Sequence, residues 1–350
     1  MIENVCHIGP AFYVQGGISS VLRTYKKLFN LSDKNFLASY NGSFLKSLPL
    51  LFLQCAKLII KPKKDIAYYQ IHTSSYGSFY RKYLISLCLR LHKKKYTVHI
   101  HGSMFDKFCN QANPVVKKML NNYFSHAEYV FILSGEMKNI VLSVAPSINK
   151  FVTVPNPCEF VTDAPVDLSS HVNPVKIVFS GRYGDRKGVF DLLKAFELAE
   201  FKVPVRLYLY GDGQIERVQK AISANSKKEY IEMSKWLDHQ KYLNLLPSFD
   251  LLVLPSYAER FSMSLVESLG LGLPVISTYV GGTAEIVENG VCGLLVQPGD
   301  IDALKISLEK IVNNRDMRIK MGAAGWKRVH DNFTGDVVMK KLDDAYLGLK

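Results

Sequence analysis

Twelve short runs rich in apolar, β-branched and aromatic residues recur along the chain, separated by stretches of helical pattern. Six occupy residues 4–8, 35–40, 66–71, 96–101, 129–133 and 151–154. Six more occupy residues 175–180, 205–210, 230–233, 251–255, 274–277 and 293–296. Strands that alternate with helices build parallel sheets covered on both faces. Two such sets predict two doubly wound α/β domains. At 350 residues the chain is long enough for two domains, each with its own core.

The join is marked by Pro155, Pro157, Pro165 and Pro174, in a stretch that also holds Ser169, Ser170 and Asn173. Proline removes a backbone donor and disfavours helix and sheet interiors, so this segment reads as a linker. The predicted division is 1–160 for a first domain, 161–174 for the linker and 175–335 for a second domain. Residues 336–350 form a C-terminal helix expected to return to the first domain. No short-period repeat and no low-complexity tract interrupts this plan.

Composition narrows the class. Hydrophobic residues make up 48% of the chain and charged residues 21%, which suits a globular protein rather than a disordered one. The six cysteines include no C-x-x-C pair, which argues against a disulfide framework or zinc site and suits a reducing cytosol. The start, MIENVCHIGP, lacks the pattern of a signal peptide. The longest apolar segment, 48–60, contains Lys57 and is too short to span a bilayer. Basic charge is uneven: residues 1–172 hold 20 Lys and Arg against 9 Asp and Glu, whereas residues 173–350 hold 24 against 22. A basic front half meets something acidic: a nucleic acid, an anionic membrane surface or a charged substrate.

Ligands of open α/β sheets sit beyond the carboxyl ends of the strands, so the segments that follow strands carry the functional signal. After 4–8 comes Val14-Gln15-Gly16-Gly17-Ile18. Its glycines let backbone approach a ligand, and the helix that follows favours an anion; a plain turn also accounts for it. After 175–180 comes Gly181-Arg182-Tyr183-Gly184-Asp185-Arg186-Lys187-Gly188. Arg182 offers a planar fork for phosphate and Lys187 a mobile point charge, although a solvated basic loop has the same composition. Gly211-Asp212-Gly213 after 205–210 is a tight turn and a weak signal. His101 ends the run 96–101, before Gly102-Ser103, and shares a strand face with His99.

Glu259 and Glu267 follow the run 251–255, with seven residues between them. A helix is expected to begin near Ser262 to Ser264. Ser264 and Glu267 have the spacing of a capping box, which accounts for Glu267 and leaves Glu259 unexplained. Asp300-Ile301-Asp302, the one D-x-D, precedes a helical stretch and reads as an N-cap rather than a metal site. No G-x-x-x-x-G-K-[ST] and no G-x-S-x-G is present.

Taken in order, the second half resembles the retaining glycosyltransferases of family 4, of GT-B fold. The resemblance rests on Gly181-Arg182…Lys187-Gly188, Gly211-Asp212-Gly213, Glu259…Glu267, Pro274-Val275-Ile276 and Gly281-Gly282-Thr283-Ala284-Glu285. In the first half it rests more loosely on Gly16-Gly17 and His101-Gly102. It implies two Rossmann-like doubly wound domains facing a central cleft. It implies that Arg182 and Lys187 hold the donor diphosphate and that Glu259 bonds the donor sugar. The backbone N–H groups of Ser262, Met263 and Ser264 would face the phosphates, and Glu267 the ribose. Gly16 and Gly17 would close over the diphosphate, His101 would approach the sugar, and the base would lie near Gly211 and residues 230–236. Arg260 and Ser262 stand where the family commonly has glycine. Arg260 is expected to be a solvated side chain, with recognition of an acidic sugar as the alternative.

The chemistry that follows is transfer from a nucleotide-diphosphate sugar, UDP favoured over GDP, without a metal or other cofactor. Cations and helix N–H groups stabilise charge growing on the leaving phosphate, and the two glutamates position the donor. The acceptor implied is a lipid-linked saccharide or a growing surface polysaccharide. The apolar and basic stretches 45–64 and 79–95 fit a peripheral site on the anionic inner face of the plasma membrane; a sheet-covering helix with a solvated basic end fits residues 79–95 as well. Two rivals remain: a sugar-nucleotide epimerase on the same fold, and a nucleic-acid-binding protein. The glutamate-bearing motif lies in the nearly neutral half, which weighs against nucleic acid.

Overall fold

Alternation of apolar strands with covering helices gives two parallel sheets of six strands each. The computed structural model describes residues 2–14, 16–60, 65–102 and 104–349, with the side chains of residues 44–46, 48, 57, 59 and 60 excepted. Gln15, Ser103 and the 61–64 end of the basic stretch 45–64 therefore lie outside the described residues. The chain divides into two compact units, Met1–Pro157 with Gly335–Lys350, and Cys158–Thr334.

In the first unit the order is β1 (Val5–Pro10), α1 (Gly17–Leu28), β2 (Phe36–Tyr40), α2 (Phe44–Ile60), β3 (Tyr68–Thr73), α3 (Gly77–Leu91) and β4 (Lys95–Ile100). Then come α4 (Phe105–Asn110), α5 (Pro114–Ser125), β5 (Val130–Ile132), α6 (Glu136–Leu142) and β6 (Phe151–Thr153). The strands lie in the order β2-β1-β3-β4-β5-β6, all parallel. Connections leave β1 toward one edge and β3 toward the other, which puts the topological switch point between β1 and β3.

In the second unit the order is β7 (Val175–Ser180), α7 (Val189–Leu198), β8 (Val205–Gly211), α8 (Ile215–Ser223), β9 (Ile231–Lys235), α9 (His239–Leu245) and β10 (Leu251–Leu254). Then come α10 (Met263–Gly270), β11 (Val275–Thr278), α11 (Thr283–Ile286), β12 (Gly293–Val296), α12 (Ile301–Val312) and α13 (Arg315–Asn332). The sheet order is β12-β11-β10-β7-β8-β9, again parallel throughout. Counted within the unit this is the dinucleotide-binding order 3-2-1-4-5-6, with its switch point between β7 and β10.

The last helix, α14 (Gly335–Leu347), packs on the first unit. Its Val338, Leu342 and Tyr346 share a core with Val21 and Tyr25 of α1 and Phe131 of β5. The opposite face of that sheet is covered by a second core that includes Leu51, Phe79, Leu89, Leu120 and Tyr123.

The division differs from the predicted linker. The first break falls after Pro157, and residues 161–174 dock on the second unit. The Trp326 indole donates to the Thr162 carbonyl at 2.9 Å, the Val166 N–H donates to the Leu271 carbonyl at 2.8 Å, and Leu168 is buried. Proline ended regular structure there without freeing the chain. On these boundaries the first unit carries 23 Lys and Arg against 9 Asp and Glu, and the second 21 against 22, so the whole basic excess belongs to the first.

Candidate functional site

The second unit gathers charged side chains at its switch point. The loop after β7 brings Lys187 to the segment after β10, where its ammonium pairs with the Glu259 carboxylate. Both side chains are largely buried, and Ser256 Oγ donates to the same Glu259 oxygen at 2.9 Å. Two glycines make the approach possible. Gly188, at φ 70°, leaves no room for a Cβ, which would stand 2.0 Å from the Pro255 carbonyl oxygen. Gly281, at φ 51°, would place one 1.9 Å from the Glu259 carbonyl oxygen. Any side chain at either position would push apart the loops that carry Lys187 and Glu259.

Arg182 is exposed beside the Gly211-Asp212-Gly213 turn, with no ion pair among the described residues. The turn is locked to the Arg182 loop: the Tyr183 N–H donates to the Asp212 carbonyl at 2.5 Å, and the Gln214 N–H donates to the Tyr183 carbonyl at 3.1 Å. Tyr183 is itself buried, and its hydroxyl donates to the Ser234 carbonyl of β9 at 2.7 Å.

Ser262 is the N-cap of α10 in extended conformation, without a side-chain capping bond, and Met263 and Ser264 form the first turn. Ser264 thus lies inside the helix, so the capping box expected between Ser264 and Glu267 does not form. Glu267 is buried and instead binds His239 at the start of α9, Nε2 to Oε1 at 2.9 Å. That contact raises the His239 pKa above its ordinary 6.5. Arg260 corrects a second expectation: it is 7% exposed rather than solvated, because the segment between β10 and α10 folds inward, and Gly282 N–H donates to its carbonyl at 3.2 Å. Asp300 behaves as read from the sequence, capping α12 by accepting from the Ala303 N–H at 2.9 Å.

In the first unit Gly16 caps α1, of which Gly17 is the first residue, and a Cβ at either glycine would meet nothing within 4 Å. No protein packing demands glycine at these two positions, while the Gly16 backbone, at φ 151°, itself favours it. His101 follows β4 and heads a buried chain: its Nε2 lies 2.9 Å from His72 Nδ1, and His72 Nε2 lies 3.1 Å from His7 Nδ1. Burial, above all, holds His72 and His101 well below 6.5, and pushes His7 and His99 down to about 3. All four are neutral imidazoles at neutral pH.

The ring nitrogens of His72, His99 and His101 fall within 4.8 Å of one another. Both nitrogens of His99 are already engaged. Nε2 donates to the Val154 carbonyl at 3.2 Å, which leaves Nδ1 to accept from the Gln70 amide at 3.1 Å. Lys82 adds a cation that acts on His72 and His101. The grouping is therefore a hydrogen-bonded cluster rather than an open donor set for a metal.

Sequence reasoning missed His239, His72, His7 and the burial of Lys82. Tyr68–Thr73 reads as one more apolar strand, and the alternation of Gln70 with His72 is the signal that could have exposed the polar seam.

Two parallel doubly wound units with these strand orders define the GT-B class. Residues 163–328, most of the second unit, match the family of glycosyl transferases group 1. The chain is 26% identical over 177 residues to the capsular polysaccharide biosynthesis glycosyltransferase CapM of Staphylococcus aureus, covering 49% of this chain and 45% of that protein. It is 28% identical over 189 residues to the lipopolysaccharide core biosynthesis glycosyltransferase LpsE of Rhizobium meliloti, covering 53% and 50%. The matches span about half the length of these relatives. Among solved structures, sucrose-phosphate synthase from Thermosynechococcus elongatus superposes with a TM-score of 0.79 at 16% identity, covering 99% of this chain and 98% of that one. Anabaena HepE in complex with UDP superposes with a TM-score of 0.80 at 15% identity, covering 98% and 99%. At these identities the likeness establishes the fold.

Proposed function

We propose that the protein is a retaining glycosyltransferase. It moves a hexose or N-acetylhexosamine from a nucleotide-diphosphate sugar, UDP in preference to GDP, to a lipid-linked saccharide or growing surface polysaccharide. The observation that carries this reading is the buried Lys187–Glu259 pair at the switch point of the unit that matches the group 1 family. Glu259 holds the lysine in place, and the ammonium faces the leaving diphosphate together with exposed Arg182. Charge that develops on the phosphate as the glycosyl bond breaks meets two cations and the N–H groups at the start of α10, so no metal is needed. Glu267 bonds the ribose hydroxyls with the oxygen that His239 leaves available.

A peripheral seat on the inner face of the plasma membrane is supported by α2 and α3. Phe52 and Leu53 on α2 and Leu84 and Leu91 on α3 are exposed, and α3 carries Arg90 in its last turn and runs into Lys93, Lys94 and Lys95. No helix among the described residues is long and apolar enough to cross a membrane. Apolar insertion beside clustered basic residues is the pattern of an interfacial helix pair.

The test is a thermal-shift panel of nucleotides and sugar nucleotides, then transfer by mass spectrometry and the product anomer by NMR. Stabilisation by UDP or a UDP-sugar, and transfer with retention that survives EDTA, are expected. No response to any sugar nucleotide would defeat the reading.

A further inference from the structure

The first unit contains a second concentration of positive charge that the donor reading does not use. Lys82 of α3 is 1% exposed, yet no acidic residue among the described residues partners it. Its ammonium reaches back along the helix to the first turn, where it donates to Ser78 Oγ at 2.9 Å. That hydroxyl oxygen already accepts from the Ser74 N–H at 3.2 Å. The ammonium and a backbone N–H thus share one hydroxyl oxygen.

Arg81 repeats the pattern. Its guanidinium lies over the Tyr40 ring, 4.5 Å from the centroid, and folds back to within 3.3 Å of where a Cβ on Gly77 would stand. Its Nε–H is buried without an acceptor, and no acidic residue occupies the first turn of α3. Two cations therefore crowd the positive end of a 15-residue helix, where the macrodipole disfavours them. A buried, uncompensated ammonium costs several kcal/mol by order of magnitude, so this arrangement lowers stability unless something anionic is recognised there.

The location is meaningful. The segment from Ser74 to Lys82 follows β3, and Gly16 and Gly17 follow β1. These two strands bound the switch point of the first sheet, where open α/β sheets take their ligands. Gly102, after β4, packs so closely that a Cβ would stand 2.4 Å from Ser74 Oγ, which fixes the serine loop against the His101 segment. Burial and Arg81 push the Lys82 ammonium down to about 7, so an arriving oxyanion would also secure its proton.

We propose that the first turn of α3, with Ser78, Arg81 and Lys82, is a phosphate-binding subsite that takes the phosphate or diphosphate group of the acceptor. The identity of that group as the acceptor's rests on the transferase reading; phosphate recognition itself rests on two cations that have no acidic partner among the described residues and on the Arg81 Nε–H that has no acceptor. The donor diphosphate is the other source of the same chemistry, and the experiment separates the two.

Isothermal titration of the full chain with geranyl diphosphate, and separately with UDP, is run on the wild type and on Lys82→Met, Arg81→Met and Lys187→Met. Lys82→Met and Arg81→Met are each expected to weaken geranyl diphosphate on the order of tenfold or more while leaving UDP unchanged. Lys187→Met is expected to do the reverse. Lys82→Met should also melt at or above the wild-type temperature in phosphate-free buffer, because it removes a buried charge. Equal affinity for geranyl diphosphate in the wild type and both α3 variants overturns the subsite. An equal loss of UDP binding in those variants overturns the assignment to the acceptor. A lower melting temperature in Lys82→Met marks a structural lysine and also counts against the proposal, in which case Arg81→Met still reads out the binding. Geranyl diphosphate binding that depends on Lys82 in a protein blind to every nucleotide and sugar nucleotide would sink the transferase reading and leave the phosphate subsite standing.

Discussion

Lys187 and Glu259, 72 residues apart in the chain, form a buried ion pair at the carboxyl ends of two adjacent strands, β7 and β10. Neither residue has this partner by local geometry. The pair exists because the switch point of the second sheet sets those strands side by side and two glycines let the following loops touch. It makes the lysine a positioned charge rather than a solvated one.

Removing either partner should be costly in two ways. Lys187→Met leaves the Glu259 charge buried with Ser256 as its remaining hydrogen bond, for a loss of roughly 3 kcal/mol in urea unfolding. Glu259→Ala should lower transfer by about a hundredfold or more, as loss of a preorganised polar contact does. The double variant Lys187→Met with Glu259→Gln should lose less stability than the two single changes together, since no unpaired charge remains. Full activity in either single variant would remove both residues from the site.

His239 gives a pH signature with a defined sign. Its folded pKa is raised by Glu267 above the unfolded 6.5. The pair therefore contributes stability below about pH 6.5 and loses it as pH rises through the raised value. The stability difference between the wild type and His239→Gln should shrink steadily across that window. In an NMR titration, Glu267→Gln should return the His239 midpoint toward 6.5; an unmoved midpoint would show that Glu267 is not the cause.

The buried histidines act in the opposite direction. His7 and His99 lie at about 3 in the folded chain, and His72 and His101 well below 6.5, while the unfolded chain protonates near 6.5. Stability should fall as pH drops from 6.5 toward 3, by about 1 kcal/mol per pH unit for each such histidine. Urea midpoints at pH 7.5 and 5 measure this, and His7→Gln should flatten the slope. For the same reason the transfer rate should show no inflection from His101 between pH 6 and 8.

Membrane attachment should depend on both the apolar surface of α2 and α3 and the basic residues at the end of α3. Flotation with anionic vesicles should recover the protein at low salt and lose it with Phe52→Ser and Leu53→Ser together. Basic attraction alone would be abolished by salt and untouched by that change.

Much of this was legible without coordinates. Each of the twelve strand signals corresponds to a strand in the fold, because a β-branched or aromatic run bounded by glycine or proline is a local property. The loop from Gly181 to Gly188 and the Glu259 segment could be placed at strand ends for the same reason. Arg260 and Lys82 were not legible as buried residues. A basic side chain on a helix or loop looks solvated until the elements that cover it are known. The expected capping box at Ser264 failed because the register of a helix start is set by where the chain leaves β10, which the S-x-x-E spacing does not report.

The sequence by itself determined the α/β alternation, the two parallel sheets and the order of the glycine and carboxylate motifs, since each depends on residues within one turn or one strand. Only the tertiary structure decided which charges meet. Lys187 found Glu259, Glu267 found His239, and Lys82 with Arg81 found no acid at all among the described residues. Pairings of this kind arise from strand order and burial, which join residues far apart in the chain, and no local pattern encodes them.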